Sequence, residues 1–273
     1  MLKCSLCVHD ERTAKIDVID GKPLCRECQV YLRYPIEREA VRRELEELME
    51  KVDRAIVAYS GGKDSVVALY LTKEVYRVPE LEAVMVDHGL MAGQAIENAE
   101  RIAKHLGVQF TLLHYDYSDI FREALLNAQS PCRACSRRTM EKLRKYTLRK
   151  GYRYIITGHE LPFGHHPHRL MSGGITQIRL LSMMTEEERF EILRKLPFEF
   201  LELPGYTTNC LVLGPALERY WGKHGHSFEQ RRIAALVRYG LMSREKAEKE
   251  LERPEVPEWQ WELVRRKLDL NAL

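Results

Sequence analysis

A short loop, SGGKDS at residues 60–65, constrains the fold of this chain more than any other feature. It follows the apolar run RAIVAYS at 54–60 and precedes a helical pattern at 64–77. A buried strand that turns at once into a helix is typical of parallel α/β sheets, where ligands bind at the carboxyl ends of the strands. The two glycines let the backbone close around an anion, the helix directs free N–H groups at it, and Lys63 adds a positive charge. The loop therefore predicts a phosphate site, although its spacing differs from the Walker sequence.

Apolar runs continue to alternate with helical patterns beyond this loop. The runs predict strands at 81–89, 108–115 and 152–159, and the patterns predict helices at 92–107 and 133–150. Such alternation predicts an α/β fold in which a mostly parallel sheet carries helices on both faces. We assign this main domain to residues 53–226 and expect a helical C-terminal subdomain at 227–273.

Two cysteine pairs mark the segment 1–34. CSLC and CREC are separated by 17 residues that contain a hairpin pattern with an Asp-Gly turn. This arrangement predicts a zinc ribbon, in which each pair supplies two thiolates to a tetrahedral site, unless the pairs are unmetallated thiol turns. The segment is too short for a core of its own, so the metal would supply the folding energy. Residues 35–52 are expected to form a linker helix. The expected zinc ligands are Cys4, Cys7, Cys25 and Cys28.

Two further motifs follow SGGKDS along the chain. VMVDHG places Asp87 at the end of the second strand, and IITGH places Gly158 and His159 at the end of the fourth. The three motifs together make the chain resemble the PP-loop ATP pyrophosphatases, whose fold is adenine nucleotide alpha hydrolase-like. The resemblance implies cleavage of ATP to AMP and pyrophosphate, adenylation of a substrate oxygen, and Mg²⁺ held by Asp64 or Asp87. The ATP-binding residues it implies are Ser60, Gly61, Gly62, Lys63, Asp64, Ser65, Asp87, Gly158 and His159.

The remaining cysteines lie in PCRAC at 131–135 and in TTNC at 207–210. With the ribbon and SGGKDS, they make the chain resemble the tRNA 2-thiolation enzymes, the two-thiouridine and two-thiocytidine synthetase group. The resemblance implies that Cys132, Cys135 and Cys210 hold a [4Fe–4S] cluster whose fourth iron binds the sulfur to be transferred. It also implies tRNA as the substrate and a sulfur-carrier protein or sulfide as the sulfur donor.

The residues around these cysteines are compatible with such a cluster and with other chemistry. Three thiolates are one short of the usual four-cysteine set, which leaves an iron able to take an external sulfide. A helix start and the nearby Arg133, Arg137 and Arg138 are expected to favour the thiolate form. A redox disulfide within PCRAC, a persulfide partnered by Cys210, or a second zinc completed by a histidine of HHPH at 165–168 stay open as alternatives.

The resemblance is incomplete at the third motif and after PCRAC. The thiolases usually read TGHxxDD with a catalytic aspartate, whereas here TGH is followed by ELPFGHHPH, and Glu160 is the nearest carboxylate. Uridine-thiolating enzymes have a catalytic lysine four residues after the second PCxxC cysteine; here that position is Thr139, and Lys142 lies about a turn further on. The tail also lacks the CxxC pairs of that branch. The catalytic residues we expect are Lys63, Asp64 and Glu160.

Positive charge is concentrated between Arg133 and Arg153, where there are nine lysines or arginines and one acid. Because this helix would emerge from the proposed active site, we expect it to contact RNA phosphates rather than to form an ordinary solvated face. The zinc ribbon is expected to be a second RNA contact. The predicted RNA-binding residues are Arg137, Arg138, Lys142, Lys145 and Arg149.

The composition of the whole chain narrows the classes of protein. The formal charge is only +3, and no apolar stretch is long enough for a membrane helix. The N-terminus has no signal-peptide pattern, so we expect a cytoplasmic protein without a membrane partner; a homodimer is compatible with the sequence. Two other functions stay open. The first is an amidotransferase, because the tail GLMSREKAEKELERP resembles the C-terminal helices of PP-loop amidotransferases that act on small molecules. The second is a non-catalytic zinc-ribbon RNA-binding protein, in which the ATP fold would be degenerate.

Overall fold

The computed structural model describes residues 2–205 and 207–270. A small module opens the chain, in which an antiparallel hairpin is followed by a helix. Its elements are β1 (Ile16–Ile19), β2 (Lys22–Cys25) and α1 (Arg26–Arg33), and α2 (Arg38–Met49) leads to the main domain. Asp20 and Gly21 both have positive φ in the hairpin turn, which is the backbone conformation that the predicted Asp-Gly turn requires.

The main domain is built on a sheet that has six strands within the described residues. These are β3 (Arg54–Ala58), β4 (Glu80–Asp87), β5 (Gln109–His114), β6 (Tyr154–Thr157), β7 (His168–Met171) and β8 (Ile175–Arg179). The order is β5–β4–β3–β6–β8–β7, and all neighbouring pairs are parallel except β7 with β8. The predicted mostly parallel sheet is confirmed. The edge hairpin of β7 and β8 is an addition that the sequence patterns did not predict.

The helices of the main domain and tail follow the strands. They are α3 (Lys63–Tyr70), α4 (Gly93–His105), α5 (Ser118–Asn127), α6 (Cys132–Arg149), α7 (Glu186–Leu193), α8 (Leu213–His224), α9 (Gln230–Arg238), α10 (Arg244–Glu250) and α11 (Glu258–Leu268). The helix predicted at 64–77 is α-helical only as far as Tyr70 and ends in a π-helical turn over Leu71–Val75. No described helix is both long and apolar enough to span a bilayer.

Helices cover both faces of the sheet because successive strand residues point to opposite sides. Ala55 and Val57 of β3 pack in one core with α2, α3, α4 and α7, whereas Ile56 faces a second core. The second core receives side chains from α5, α6, α8 and α11, including the buried Trp261 and Leu268. The prediction of helices on both faces is therefore confirmed.

The C-terminal helices contact both other parts of the molecule. Ala234 of α9 is fully buried in the small cluster that contains the four N-terminal cysteines. Gln230, at the start of α9, donates a hydrogen bond of 2.6 Å to the backbone carbonyl of Val8. Because α11 packs on the sheet at the same time, the tail joins the N-terminal module to the main domain.

Candidate functional site

The glycine loop at 60–65 joins β3 to α3 and is fixed by its own side chains. Ser65 Oγ accepts a hydrogen bond of 3.2 Å from the Ser60 amide and donates one of 2.9 Å to the Gly62 carbonyl. Gly61 has a φ of 73°, and a Cβ there would lie 2.9 Å from the Ala95 carbonyl oxygen and 2.9 Å from the Ala99 Cβ. Only glycine therefore fits this turn.

A second glycine, Gly158, brings the third motif against this loop. A Cβ at this position would lie 2.6 Å from the carbonyl oxygen of Asp64 and 2.9 Å from the amide nitrogen of Ser65. The end of β6 is thus in direct contact with the first turn of α3. The glycine of TGH is required for this packing, and Glu160, two residues further on, lies at the same edge of the sheet.

A third segment, TTNC, also contacts the loop. Asn209 Nδ2 donates a hydrogen bond of 2.6 Å to the Ser60 carbonyl, and the carbonyl of Asn209 accepts one of 2.8 Å from the Ala92 amide. Cys210 follows directly and forms a β-bridge with Met91, just after the second motif. The segment was singled out from the sequence for its cysteine alone; its asparagine is a further constraint on the loop.

A cavity of about 690 Å³ opens beside these segments, at the carboxyl end of the sheet. Its walls also come from the C-terminal half of the chain, including Arg189 of α7, Arg232 of α9 and Lys246 of α10, none of which the sequence analysis singled out. The predicted site residues that line it are Ser60, Gly62, Lys63, Asp64, Ser65 and Glu160. Four predicted ATP-binding residues are not among its described lining: Gly61, Asp87, Gly158 and His159.

Two carboxylate–arginine pairs face the cavity. Asp64 lies 3.2 Å from Arg189, and Glu160 lies 2.7 Å from Arg232. Loss of water around Asp64 and repulsion from Glu160 raise the pKa of Asp64 to about 6, although Arg189 opposes the shift. Burial is the largest single influence and would raise the pKa of Glu160, but Arg232, a backbone hydrogen bond and the charges of Arg189 and His159 together hold that pKa below its usual value. The two carboxyl groups thus have pKa values that are pushed apart.

The lysine of the loop has a partner that a ligand can displace. Lys63 Nζ lies 3.0 Å from Glu202, whose side chain is 80% exposed. An ion pair of this kind contributes little to stability because solvent screens it. Lys63 lines the cavity. Because its ion pair with Glu202 is weak, its ammonium group is available to a phosphate group that enters.

The second motif has a structural role in its own turn. Asp87 Oδ1 accepts a hydrogen bond of 2.9 Å from the Gly89 amide, and Oδ2 lies 3.1 Å from His114 Nδ1. His88 is buried against Phe121, and this burial lowers the pKa of His88 to about 4. A role of Asp87 in binding ATP or Mg²⁺ stays a prediction.

The three cysteines outside the ribbon are near enough for their charges to interact, although within the described residues they do not form a group whose sulfur atoms all lie within 4.8 Å of one another. Cys132 begins α6, and the charges of Cys135 and Cys210 both act on it. Burial is the main influence on all three thiols: it raises the pKa of Cys132 and Cys210 and raises the pKa of Cys135 to about 12. Arg138 lowers the pKa of Cys135, the direction expected from the sequence, but burial raises that pKa by more.

The histidines of HHPH lie against another element. His166 Nδ1 and His168 Nδ1 are each 3.0 Å from Glu44 of α2. Within the described residues, no histidine forms a close metal-binding group with the cysteines of PCRAC and TTNC. The alternative of a second, histidine-completed zinc site receives no support from this arrangement.

The four N-terminal cysteines form a candidate metal centre. Their sulfur atoms all lie within 4.8 Å of one another and all four residues are buried. The sulfur atoms of Cys7 and Cys25 are 3.7 Å apart, close to the roughly 3.8 Å that a tetrahedral zinc with four thiolates requires. Arg238 of α9 donates a hydrogen bond of 3.2 Å to the Cys28 sulfur. The donor set fits zinc, and the arginine would offset the negative charge of four thiolates.

Helix α9 therefore connects three chemical centres. Arg238 contacts the ribbon sulfurs, Arg232 contacts Glu160 in the cavity, and Glu229, just before the helix, is close enough to Cys132 to raise the pKa of that thiol. The sequence analysis assigned no chemistry to this helix. Its arginines are ordinary in the sequence and gain their roles from tertiary packing alone.

The basic helix α6 is partly neutralised. Arg138 forms two hydrogen bonds of 2.7 Å with Asp119, and Lys145 lies 3.4 Å from Glu141. Lys142 Nζ lies 4.2 Å from the centre of the Tyr115 ring, a cation–π contact. The other two predicted RNA-binding residues, Arg137 and Arg149, are exposed.

The chain is similar to several known proteins. A family model of the PP-loop domain matches residues 37–162. An uncharacterized protein of Methanocaldococcus jannaschii is 48% identical over 97% of this chain and 99% of its own length. A tRNA-specific 2-thiouridylase of Caldanaerobacter subterraneus subsp. tengcongensis is 29% identical over 41% of this chain, and the match spans only 36% of that relative. The U34-tRNA thiolase of Methanococcus maripaludis, solved with its [4Fe–4S] cluster, aligns with a TM-score of 0.49, 18% identity, and coverage of 94% of this chain and 90% of its own. The chain belongs to the same family as this M. jannaschii protein, and its residues 37–162 match the PP-loop domain.

Proposed function

We propose that this protein is an ATP-dependent, AMP-forming sulfurtransferase that adenylates a carbonyl oxygen of a tRNA base and replaces it with sulfur. One observation carries the proposal: the nucleotide cavity and the three-thiol group share the segment TTNC. Asn209 binds the glycine loop and lines the cavity, and Cys210 is the next residue. An activated base in the cavity would thus lie beside the group that supplies sulfur. The partial match to the 2-thiouridylase supports the same class of reaction.

The cavity has the groups that hold and cleave ATP. The amides at the start of α3 and the ammonium of Lys63 would bind the leaving pyrophosphate and stabilise the charge that develops on it. Arg189 adds to this set, because its Nη1 is buried and has no hydrogen-bond partner while its Nε lies 3.2 Å from Asp64. A phosphate oxygen would satisfy that unpaired donor.

The carboxyl groups of Asp64 and Glu160 are candidates for Mg²⁺. A hard cation prefers carboxylate and phosphate oxygens, and both residues line the cavity. Glu160 stays ionised because Arg232 holds it, whereas Asp64, with a pKa of about 6, loses its proton near neutral pH. Glu160 would take the place of the aspartate that thiolases usually have after TGH.

Cys132, Cys135 and Cys210 are half-buried thiols whose pKa values are raised, and a nearby cation would favour their thiolate forms. A metal cluster would supply such a cation, since metal binding displaces thiol protons. Cys132, Cys135 and Cys210 would hold such a cluster, and the cluster would supply an iron open to sulfide from a carrier protein or from solution. Cys210 lies next to Asn209, whose side chain donates a hydrogen bond to the Ser60 carbonyl of the glycine loop, so the thiol group and the loop are connected through adjacent residues.

The N-terminal cysteines have a different proposed role. Cys4, Cys7, Cys25 and Cys28 would bind zinc as a structural site, because all four thiols converge and leave no position for a substrate. The ribbon and the exposed Arg137 and Arg149 of α6 are proposed to bind the backbone phosphates of the RNA.

The function is tested with anaerobically purified protein, tRNA, Mg²⁺–ATP and sulfide. We expect AMP and pyrophosphate in equal amounts and a thiolated nucleoside in digested tRNA by mass spectrometry. Lys63→Ala should abolish both products, whereas Cys210→Ala should abolish thiolation and retain RNA-dependent AMP formation. Nitrogen incorporation from ammonia with no thiolated nucleoside would instead favour an amidotransferase, and the absence of AMP formation would contradict an enzyme of this class.

A further inference from the structure

A second cavity, of about 560 Å³, lies away from the ATP site between α5, α8 and α11. Four cationic side chains line it together with one carboxylate, that of Glu218. The cations are Arg219, Lys223, Arg253 and Arg265. The lining of the cavity thus carries more positive than negative charge, which favours an anionic ligand.

Two of these cations are held in place by neutral acceptors. Arg219 Nε donates a hydrogen bond of 3.2 Å to the carbonyl of Leu125, and Lys223 Nζ donates one of 3.0 Å to the carbonyl of Asn127. Both carbonyls belong to the C-terminal end of α5, where such groups lack partners within the helix. The two side chains are therefore oriented by the backbone, and no carboxylate cancels their charge through these bonds.

The other two cations are incompletely paired. Glu218 accepts a hydrogen bond of 2.7 Å from the Trp261 indole, and Arg253 is 3.6 Å from its other oxygen. Arg265 pairs with Glu258 at 2.7 Å, but its Nε is buried with no hydrogen-bond partner in the described structure. An oxyanion at this place would gain charge-assisted hydrogen bonds that the chain does not supply.

We propose that this pocket binds backbone phosphates of the RNA substrate; the inference rests on the proposed function. The cations of the pocket suit a phosphate group. The lining and the place of the pocket in the chain favour a phosphate of a nucleic-acid backbone over that of a free nucleotide. Trp261, the one aromatic residue in the described lining, is buried, so no ring is open to stack on a base. Ala128, a buried residue of the pocket lining, is four positions before Cys132, so a short segment of chain joins the pocket to the thiol group.

The test compares two double variants that each remove one lysine and one arginine. Lys223→Gln/Arg253→Gln acts on exposed rim residues of the pocket, so the fold should persist. Arg101→Gln/Lys104→Gln is the matched control, since α4 packs on the opposite core. The measurement is the dissociation constant of unmodified tRNA by fluorescence anisotropy at several KCl concentrations, with AMP release from ATP alone as a check that the ATP site is intact.

We expect the pocket variant to bind tRNA roughly tenfold more weakly and to lose about two units from the slope of log affinity against log salt. The control should keep the wild-type slope, and both should keep basal AMP release. A pocket variant with the wild-type slope would overturn the inference and leave the proposed function intact. If wild type itself binds no tRNA, the proposed function fails first. Equilibrium dialysis provides a second arm: a second ATP or AMP site per chain that the pocket variant lacks would overturn RNA in favour of a free nucleotide.

Discussion

The guanidinium of Arg232 lies 2.7 Å from the carboxylate of Glu160, which joins a C-terminal helix to the residue after the third motif of the ATP site. Glu160 is only 10% exposed, so its charge depends on this partner. The same helix contacts the ribbon sulfurs through Arg238. The C-terminal helix α9 thus contributes side chains both to the cavity and to the ribbon.

Removal of Arg232 should leave Glu160 with an unpaired, poorly solvated charge. We expect Arg232→Met to lower the free energy of unfolding by about 1–3 kcal/mol at neutral pH, less than for a fully buried pair because Arg232 is 41% exposed. Urea denaturation measures this, with the exposed neighbour in Arg231→Met as control.

The pH dependence of that loss has a defined sign. The lowered pKa of Glu160 stabilises the fold above its unfolded pKa, so the difference between wild type and Arg232→Met should shrink as the pH falls below about 4. A difference that is constant from neutral to acid pH would contradict the ion pair as its cause.

The raised pKa of Asp64, about 6, predicts a pH step in two measurements. Without ligands, the free energy of unfolding should fall as the pH rises from the ordinary aspartate range through 6, because the charged form is disfavoured in the fold. Asp64→Asn should remove this fall. In turnover, AMP formation should instead rise through about pH 6, as Asp64 becomes able to bind Mg²⁺. Identical pH profiles for wild type and Asp64→Asn in thermal unfolding would contradict the assignment.

Replacement of Gly158 by alanine should cause a packing defect that the same replacement at Gly93 does not cause. In Gly158→Ala the new Cβ would lie 2.6 Å from the Asp64 carbonyl oxygen, so β6 and α3 must separate. We expect a loss of about 1–3 kcal/mol in the free energy of unfolding and a loss of ATP affinity. Gly93→Ala, at the start of α4, meets nothing within 4 Å and should have little effect. Equal stabilities for the two variants would show that this close approach is not required.

Arg238 should matter for the metal of the ribbon. Arg238→Met removes the hydrogen bond to the Cys28 sulfur and a charge beside four thiolates, so zinc affinity should fall by about 10–100-fold. Competition with a chromogenic chelator gives the affinity, and Arg26→Met, an exposed arginine beside Cys25, is the control. Unchanged affinity in Arg238→Met would limit its role to packing.

The sequence predicts those features that depend on neighbouring residues. The strand, loop and helix around SGGKDS follow from an apolar run and two glycines, and the sheet and its two helix layers follow from the repeated pattern. The close approach of the ribbon cysteines follows from their paired spacing. The strands β7 and β8 escape prediction because both are short, and the edge strand β7 carries exposed side chains such as Leu170.

Features that depend on distant partners were not predictable from local patterns. Arg189, Asn209 and Arg232 reach the cavity only through the packing of later segments. Arg138 also pairs with Asp119, a partner that the local sequence pattern does not indicate, and its contact with RNA stays a prediction. Asp87 follows the family motif, yet its carboxylate binds the turn that it begins. The sequence pattern predicts which type of residue stands at a strand end, whereas tertiary contacts determine where the side chain of that residue points.

We propose that Cys132, Cys135 and Cys210 form a metal cluster site distinct from the ribbon. The most direct measurement is the iron, sulfide and zinc content of anaerobically purified wild type and Cys210→Ala. We predict about four irons and one zinc per wild-type chain, with iron lost and zinc kept in Cys210→Ala. One zinc and no iron in the wild type, even after reconstitution with iron and sulfide, would contradict the account.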